Sequence, residues 1–418
     1  MKIIQVPAFF CIKMDVMKLF ASLLHQNQTV RSLKIKDIRY RQVDLKVSPP
    51  GPDTEELKLL YKMKEEKDWT SQTVSKNQKT VTLTDFRPDT EYNIKCAAVG
   101  KLNYISESDV ITIIIKNKND LIKKSILIED GNPARYRLQR KTDNIDQSEP
   151  YRKMTFGERD KTKPHKTILI VGETGTGKTT LINTMINYML DVQREDKVWF
   201  EITDDQSDRT SVHSQTSSIT VYGFYPQESK TDLTIIDTPG YGDTRGVEKD
   251  KEIAESFLSL IQSAGINEID AVCLVIKASQ NRLSDRQMYI FDAVQSLLGS
   301  NIDERQYFLF THSSGARPKS ALTAVKKAKI KCAVNEQNQP VYFLFNNCQS
   351  EADDEEDEMI QDQSWNLSFR GMAGLFKFLY TIQPKSLKMT QDVLQIRKQL
   401  EANISSKSTS SNDRTKAK

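Results

Sequence analysis

The sequence has no long hydrophobic run and no surplus of one charge. Lys and Arg number 60 against 56 Asp and Glu, a net charge of +4, so no overall field toward nucleic acid or a membrane surface is predicted. No stretch approaches the roughly 20 apolar residues that a membrane span requires. We therefore expect no nucleic-acid partner and no transmembrane segment.

The cysteines show no spacing typical of a metal site or of a disulfide framework. An odd count of five thiols, placed in apolar runs, indicates reduced and buried side chains, and it predicts a cytoplasmic protein. The N-terminal segment, residues 1–32, is apolar from Ile3 to Ile12, but Lys13 and Asp15 interrupt it and no small-residue cleavage site follows. We expect a loosely ordered or helical segment there rather than a secretory signal.

Residues 33–117 carry the alternation that is typical of β-strands. Thr80 to Leu83 alternates, Tyr92, Ile94 and Cys96 alternate, and 110–115 is a β-branched run. The segment Phe86-Arg-Pro-Asp-Thr-Glu-Tyr92 resembles the fibronectin type III signature, in which a tyrosine bonds back to the preceding corner. The early strand 43–47 departs from that signature because it has no core tryptophan. The resemblance implies a non-catalytic β-sandwich that binds a protein partner, and another small sandwich is the alternative.

Polar and basic residues dominate 118–164, which predicts a solvated basic linker. After Pro384 a helical pattern begins, in which Met389, Val393, Ile396 and Leu400 recur at spacings of four, three and four. This pattern predicts a C-terminal helix over 384–404 that is too short to assert a coiled coil. The Ser-, Thr- and Lys-rich tail, 405–418, has a composition typical of disorder.

An apolar strand, a glycine-rich turn and the start of a helix follow one another between Thr167 and Thr180. Gly172 to Thr179 spells Gly-x-x-x-x-Gly-Lys-Thr, the phosphate-binding loop, whose backbone N–H groups point at phosphate oxygens. A dinucleotide-binding turn needs a third glycine where Thr180 stands, so that alternative fails. The predicted nucleotide-binding residues are Gly172, Glu173, Thr174, Gly175, Thr176, Gly177, Lys178, Thr179 and Thr180.

A second motif predicts where magnesium is held. The apolar strand from Leu233 ends in Asp237-Thr-Pro-Gly240, and in a phosphate-loop fold this strand lies beside the first. We expect Asp237 to hold the Mg²⁺ shell opposite the hydroxyl of Thr179, and the Gly240 amide to contact the γ-phosphate. Lys178 supplies positive charge to the β- and γ-phosphates, which makes it the predicted catalytic lysine.

A hydroxyl residue between the two motifs is expected to complete the magnesium shell in the triphosphate state. Thr216, just before the next strand, is our choice as metal ligand and catalytic residue, and Thr210 and Thr220 are its rivals. Farther along, Ser284 and Gln287 have the spacing of a capping box that starts a helix.

These motifs, with Asp237 to Asp243 and Arg282 to Gln287, resemble the septin and immunity-associated (GIMAP, AIG-type) GTPase superfamily over roughly 165–350. With its fibronectin-like front, the chain resembles the fish members of this group. The resemblance implies GTP and GDP with Mg²⁺ as ligands, a guanine-nucleotide switch, and a homodimer or higher oligomer formed through the nucleotide domain.

The base and the hydrolysis step are where the pattern departs from that family. Thr311-His312 resembles it, but Ser314 stands where a guanine-reading aspartate is usual, and Asn346, with Asn347, is expected to contact the base from the next strand end. Tyr241 follows Gly240, where many switch GTPases carry a water-orienting glutamine, so slow hydrolysis is predicted. A non-hydrolysing nucleotide-bound scaffold and an ATP-specific protein remain alternatives.

Together, the patterns predict a multidomain chain. A fibronectin type III-like β-sandwich (33–117) precedes an α/β phosphate-loop domain (165–383) and a C-terminal helix. The candidate base contacts are Thr311, His312 and Asn346.

Overall fold

The computed structural model describes most of the chain from residue 33 to residue 403. The described residues are 33–39, 41–48, 50–52, 54–75, 77–100, 105–115, 117–142, 151–203, 219–227, 229–238, 256–257, 259–262, 265–347, 355–396, 398–400 and 403. The chain divides into two compact units, Met1–Asp120 and Leu121–Lys418.

The first unit is a sandwich of two antiparallel sheets. One sheet has the strand order β1-β2-β5, and in the other the order is β4-β3-β6-β7 with β8 also paired to β6. This confirms the predicted fibronectin-like sandwich. The strands are β1 (Leu33–Arg39), β2 (Gln42–Val47), β3 (Thr54–Met63), β4 (Thr70–Val74), β5 (Thr80–Leu83), β6 (Glu91–Gly100), β7 (Ile105–Glu107) and β8 (Ile111–Ile114).

The sandwich closes around alternate residues of its strands, as the period of two dictates. At one corner the Arg87 amide donates a hydrogen bond to the Tyr92 hydroxyl at 3.1 Å, and the Tyr92 ring packs edge-on against Phe86 with centroids 4.5 Å apart. This is the tyrosine corner that the sequence predicts. Trp69 lies outside the core, just before β4, with the ammonium groups of Lys62 and Lys95 at 5.3 and 4.6 Å from its ring centroid.

The second unit is built on an eight-stranded sheet of the order β11-β12-β15-β16-β13-β18-β19-β20. Strand β13 runs parallel to both of its neighbours, and β15 pairs antiparallel with β16. Its strands are β11 (Lys141–Thr142), β12 (Tyr151–Gly157), β13 (His165–Val171), β15 (Ile219–Tyr225), β16 (Asp232–Asp237), β18 (Ala271–Lys277), β19 (Gln306–Thr311) and β20 (Tyr342–Leu344).

Helices cover both faces of this sheet, so neighbouring residues of β13 enter different cores. Ile168 and Ile170 pack on the side of α2 and α5, whereas Leu169 and Val171 pack on the side of α3, α4 and the helical residues 256–257 and 259–262. The labelled helices are α1 (Asn119–Lys123), α2 (Lys178–Met189), α3 (Asp285–Leu298), α4 (Lys319–Lys327) and α5 (Glu355–Thr381).

The prediction of a solvated linker over 118–164 is wrong for the described part of that stretch. Strands β9 (Ser125–Glu129) and β10 (Ala134–Leu138) form a three-stranded sheet with β14 (Val198–Glu201), and β12 belongs to the main sheet. One of the arginines is paired within this sheet, because Arg135 bridges Glu129 at 2.6 Å and Glu201 at 2.7 Å, whereas Lys123 and Lys124 are exposed. The apolar residues between them, such as Leu138 and Met154, enter the core.

The segment after residue 383 also belongs to the second unit. Strand β21 (Lys385–Ser386) pairs with β17 (Glu268–Ile269), and Leu387 and Leu394 are buried. The predicted C-terminal helix is present over 388–396, and its apolar stripe is exposed, with Met389 at 67% and Val393 at 56%. A coiled coil stays a prediction. Among the described residues, no helix is long and apolar enough to cross a membrane.

We predict that Tyr92→Phe lowers the free energy of unfolding of the sandwich by about 0.5–1.5 kcal/mol, because the partly buried Arg87 N–H loses its acceptor. Urea unfolding of the full chain measures this, with Trp199→Phe and Trp365→Phe in the background so that Trp69 reports on the first unit. The matched control is Tyr61→Phe, whose hydroxyl has no hydrogen-bond partner among the described residues. An equal effect of the two substitutions would contradict the corner.

Candidate functional site

The phosphate loop joins β13 to α2 and has the geometry that its glycines allow. Gly175 and Gly177 have φ of +76° and +86°, in the left-handed region that favours glycine. A Cβ on Gly172 would lie 2.7 Å from the Val275 carbonyl oxygen, so only glycine lets the loop start this close to β18. Helix α2 begins at Lys178 without a side-chain cap, which leaves its first amides directed at the loop.

Asp237 is the buried last residue of β16, and Lys178, also buried, begins α2 after the loop that leaves the neighbouring parallel strand β13. The Lys178 ammonium donates to the carbonyl oxygens of Gly172 at 2.8 Å and Glu173 at 3.4 Å. Burial lowers the pKa of Lys178, while the charges of Asp237 and Glu173 oppose that shift. Burial raises the pKa of Asp237 to about 7, against the pull of Lys178. Each charge is therefore stabilised incompletely by its protein surroundings.

The donor set fits a magnesium-bound polyphosphate. Asp237 Oδ1 is buried without a hydrogen-bond partner among the described residues, and a metal-bound water would give it one. Thr179 follows Lys178 on α2, half-buried, at the position predicted for a metal ligand. Thr220, a rival for the remaining ligand, pairs in register with Asp237, and its buried hydroxyl also lacks a described partner. Thr216, Thr210, Gly240 and Tyr241 lie outside the described residues.

The predicted base-side residues Thr311 and His312 contact the phosphate loop directly. Thr311 Oγ1 donates to the Thr176 carbonyl oxygen at 2.7 Å, and His312 Nδ1 lies 3.2 Å from Thr311 Oγ1. The His312 ring lies beside Gly177, 3.6 Å from where a Cβ would stand. Burial and then the Lys277 charge lower the pKa of His312, so its ring is neutral at pH 7. Ser314 is exposed.

The two asparagines after β20 have different surroundings. The Asn346 side-chain amide donates to Ser364 Oγ at 2.9 Å, and its backbone amide donates to Ser368 Oγ at 2.9 Å, so this residue ties β20 to α5. Both polar side-chain atoms of Asn347 are buried without a described partner. A base contact by Asn346 stays a prediction, and Asn347 is the better candidate of the two because the Asn346 side-chain nitrogen is already bonded.

A contact between the phosphate loop and α3 was not predicted from the sequence. Ser284 and Gln287 form the predicted capping box, in which Ser284 Oγ accepts from the Gln287 amide at 3.1 Å. The same hydroxyl lies 3.4 Å from Glu173 Oε2, to which it donates. The capping-box spacing predicts that Ser284 begins α3, but no sequence pattern links Ser284 to Glu173, which is 111 residues away.

The sheet and this site define the second unit as a phosphate-loop nucleotide-binding domain. A family model described as Septin matches residues 164–262, which include the loop and Asp237. That match supports a phosphate-loop domain of the GTP-binding kind. A comparison with curated proteins found no match.

Solved structures similar to parts of the chain include one for each unit. The FN1–FN3 domains of chicken CNTN1 are 18% identical with a TM-score of 0.21, over 22% of this chain and 33% of theirs. The fn3 domain of human contactin 1 is 17% identical with a TM-score of 0.21, over 22% and 78%. A dimerization-deficient mutant of Toc33 from Arabidopsis thaliana is 17% identical with a TM-score of 0.32, over 47% and 77%. This chain thus spans a third of the chicken fragment.

We predict that Asp237→Asn stabilises the nucleotide- and metal-free protein increasingly as pH rises from about 4 to about 7. The raised pKa means that the folded state holds a proton that the unfolded state has released in this window, so wild-type stability falls with rising pH. Asparagine does not titrate, and the difference should reach at least about 1 kcal/mol above pH 7.

Urea unfolding at several pH values checks this, in a Trp69→Phe background so that Trp199 and Trp365 report on the second unit. Asp292→Asn, an exposed change on α3, is the matched control. Parallel pH curves for wild type and Asp237→Asn would be incompatible with the proposed burial of this carboxylate.

Proposed function

We propose that this protein is a GTP-binding switch with slow, Mg²⁺-dependent hydrolysis of GTP to GDP and phosphate. The observation that carries the proposal is that Lys178 and Asp237 are both buried. Lys178 begins α2 behind a glycine-rich loop, and Asp237 ends the strand parallel to β13. A triphosphate supplies negative charge to the lysine, and its magnesium ion supplies positive charge to the aspartate.

The residues divide the work of binding by their chemistry. Backbone amides of 172–177 and the start of α2 hold phosphate oxygens, and Lys178 contacts the β- and γ-phosphates. Thr179 and Asp237 hold the magnesium shell, directly or through water. We assign Thr216 to the remaining magnesium position on the resemblance to switch GTPases alone, and the same holds for the Gly240 amide at the γ-phosphate.

Base recognition is proposed to use an amide where an aspartate is usual. Ser314 offers no carboxylate, so the charge-assisted hydrogen bonds of other GTPases, roughly 1.5–3 kcal/mol each, are absent. Asn347 carries both a donor and an acceptor, and it follows a strand whose neighbour bears Thr311 and His312. An amide of this kind reads a guanine edge by two neutral hydrogen bonds. Because Ser314 stands where an aspartate usually selects guanine, ATP remains the second candidate ligand.

Slow turnover and self-association form the second part of the proposal. A tyrosine at 241 does not orient an attacking water as glutamine does. The resemblance to septins and immunity-associated GTPases supports pairing through the nucleotide domain, which would bring a second subunit's groups to the phosphates. We further propose a cytoplasmic location and a protein partner for the sandwich.

We predict that Asn347→Ala lowers GTP affinity about 5- to 150-fold and leaves ATP affinity unchanged, because two neutral hydrogen bonds to the base are lost. Asn346→Ala is the matched control, and it should lower thermal stability with little change in GTP affinity, since its amide bonds Ser364. Titration calorimetry with Mg²⁺-GTP and Mg²⁺-ATP measures both. Lys178→Ala should lose about tenfold or more for either nucleotide. Undiminished nucleotide binding by Lys178→Ala would overturn the proposed function.

We predict that GTP turnover per subunit rises with protein concentration, because dilute monomer lacks the groups that a second subunit supplies. Phosphate release over a range of protein concentrations, with light scattering on the same samples, tests this. Lys178→Ala gives the background rate. Fast turnover that is independent of concentration would refute the dimer part while leaving nucleotide binding intact.

A further inference from the structure

A second cavity, of about 550 Å³, lies on the main sheet at the end away from the phosphate loop. It opens beside His165, the first residue of β13, whereas Gly172 follows the last residue of the same strand. Seven extended residues span about 20 Å. The cavity is therefore separate from the nucleotide site.

One wall of the cavity is a hydrogen-bonded group of three side chains. Thr234 Oγ1 lies 2.9 Å from His165 Nε2 and 3.0 Å from the Tyr225 hydroxyl, and the two rings meet edge-on with centroids 6.1 Å apart. Thr234 is only 5% exposed. Burial lowers the pKa of His165 to about 4, so the imidazole is neutral at pH 7 and offers neutral hydrogen bonding to the cavity.

Two glycines hold Tyr225 in this position. A Cβ on Gly223 would lie 2.8 Å from the Tyr225 hydroxyl oxygen, so the ring lies across a residue without a side chain. A Cβ on Gly157, in the neighbouring strand and at φ +78°, would lie 2.1 Å from the Tyr225 carbonyl oxygen. Ordinary residues at these positions would displace the ring or the strand. The wall is therefore set by the sequence of four adjacent strands, β12, β15, β16 and β13.

The charges of the cavity are arranged unevenly. Lys153 and Arg159 line it as cations. The charge of Asp270 is neutralised by Lys166, whose ammonium lies 2.9 Å from Asp270 Oδ1. Glu268, the exposed first residue of β17, is the other acidic group of the lining. Cations and hydroxyl donors suit an anionic group, and a carboxylate suits hydroxyl groups of a ligand.

We propose that this cavity binds a small soluble organic phosphate that also carries hydroxyl groups, of which a sugar phosphate is the simplest example. The phosphate contacts Arg159 and the Tyr225 hydroxyl, and the ligand hydroxyls contact Glu268 and the adjacent Asn267. The volume lies within the roughly 300–1,000 Å³ of small-molecule sites. A bare phosphate ion would leave most of it to water.

Titration calorimetry on the full chain tests the proposal with ribose 5-phosphate, ribose and inorganic phosphate as probes. Ribose 5-phosphate should bind at least about tenfold more tightly than inorganic phosphate, and ribose should give no measurable heat. Arg159→Gln and Tyr225→Phe should each weaken ribose 5-phosphate binding about 3- to 30-fold. Lys161→Gln, an exposed cation two residues from Arg159 that does not line the cavity, should leave it unchanged.

Lys178→Ala separates this site from the phosphate loop, which also attracts phosphates. The proposal requires that ribose 5-phosphate binding survives Lys178→Ala and weakens in Arg159→Gln. The reverse pattern would assign the heat to the phosphate loop and overturn the cavity site, as would no binding of ribose 5-phosphate at millimolar concentration. Equal affinity for ribose 5-phosphate and inorganic phosphate would overturn the role given to the ligand hydroxyls. Neither result bears on nucleotide binding, which Lys178→Ala measures independently.

Discussion

The buried pair of Lys178 and Asp237 is the constraint on which the second unit depends. Burial lowers the pKa of the lysine and raises that of the aspartate, so each is pushed toward its neutral form and only partly held by the other. Such a pair is unfavourable unless a ligand satisfies both charges, since removing ions from water costs several kcal/mol apiece. In the function that we propose, a polyphosphate with its magnesium ion does this. The pair then serves binding rather than stability.

The phosphate loop forms hydrogen bonds with the elements on both sides of the site. Thr311 bonds the Thr176 carbonyl on the base side, and Ser284, which caps α3, contacts the Glu173 carboxylate on the other. The loop is therefore hydrogen-bonded to the start of α3 as well as to the end of β19, which His312 follows.

The sequence predicted those features whose cause is local. The phosphate loop, the Asp237 strand end, the capping box of Ser284 and the corner at Tyr92 each depend on residues a few positions apart. The stretch 118–164 was misjudged because some of its side chains contact distant residues: Arg135 meets Glu201, 66 residues away. Choosing Asn347 over Asn346 needed the position of Ser364 on α5, which no spacing reveals. The segment after 383 was separated from the domain for the same reason, since its partners lie near Asn267.

The two ends of β13 carry different chemistry for a topological reason. At its carboxyl end the parallel neighbours leave a crevice where loops diverge, and the phosphate loop fills it. At its amino end the chain has to close the sheet, and Lys166 does so by bonding Asp270 and the Ile382 carbonyl at 2.9 and 3.0 Å. That closure brings β17, β21 and the segment after α5 against the sheet. Gly223 has no side chain, so the Tyr225 ring lies across it, and a polar cavity remains beside these strands. An ion pair and two glycines frame this cavity. Apolar side chains that filled the same volume would raise the free energy of unfolding, so the polar cavity lowers stability and is better explained by a binding role.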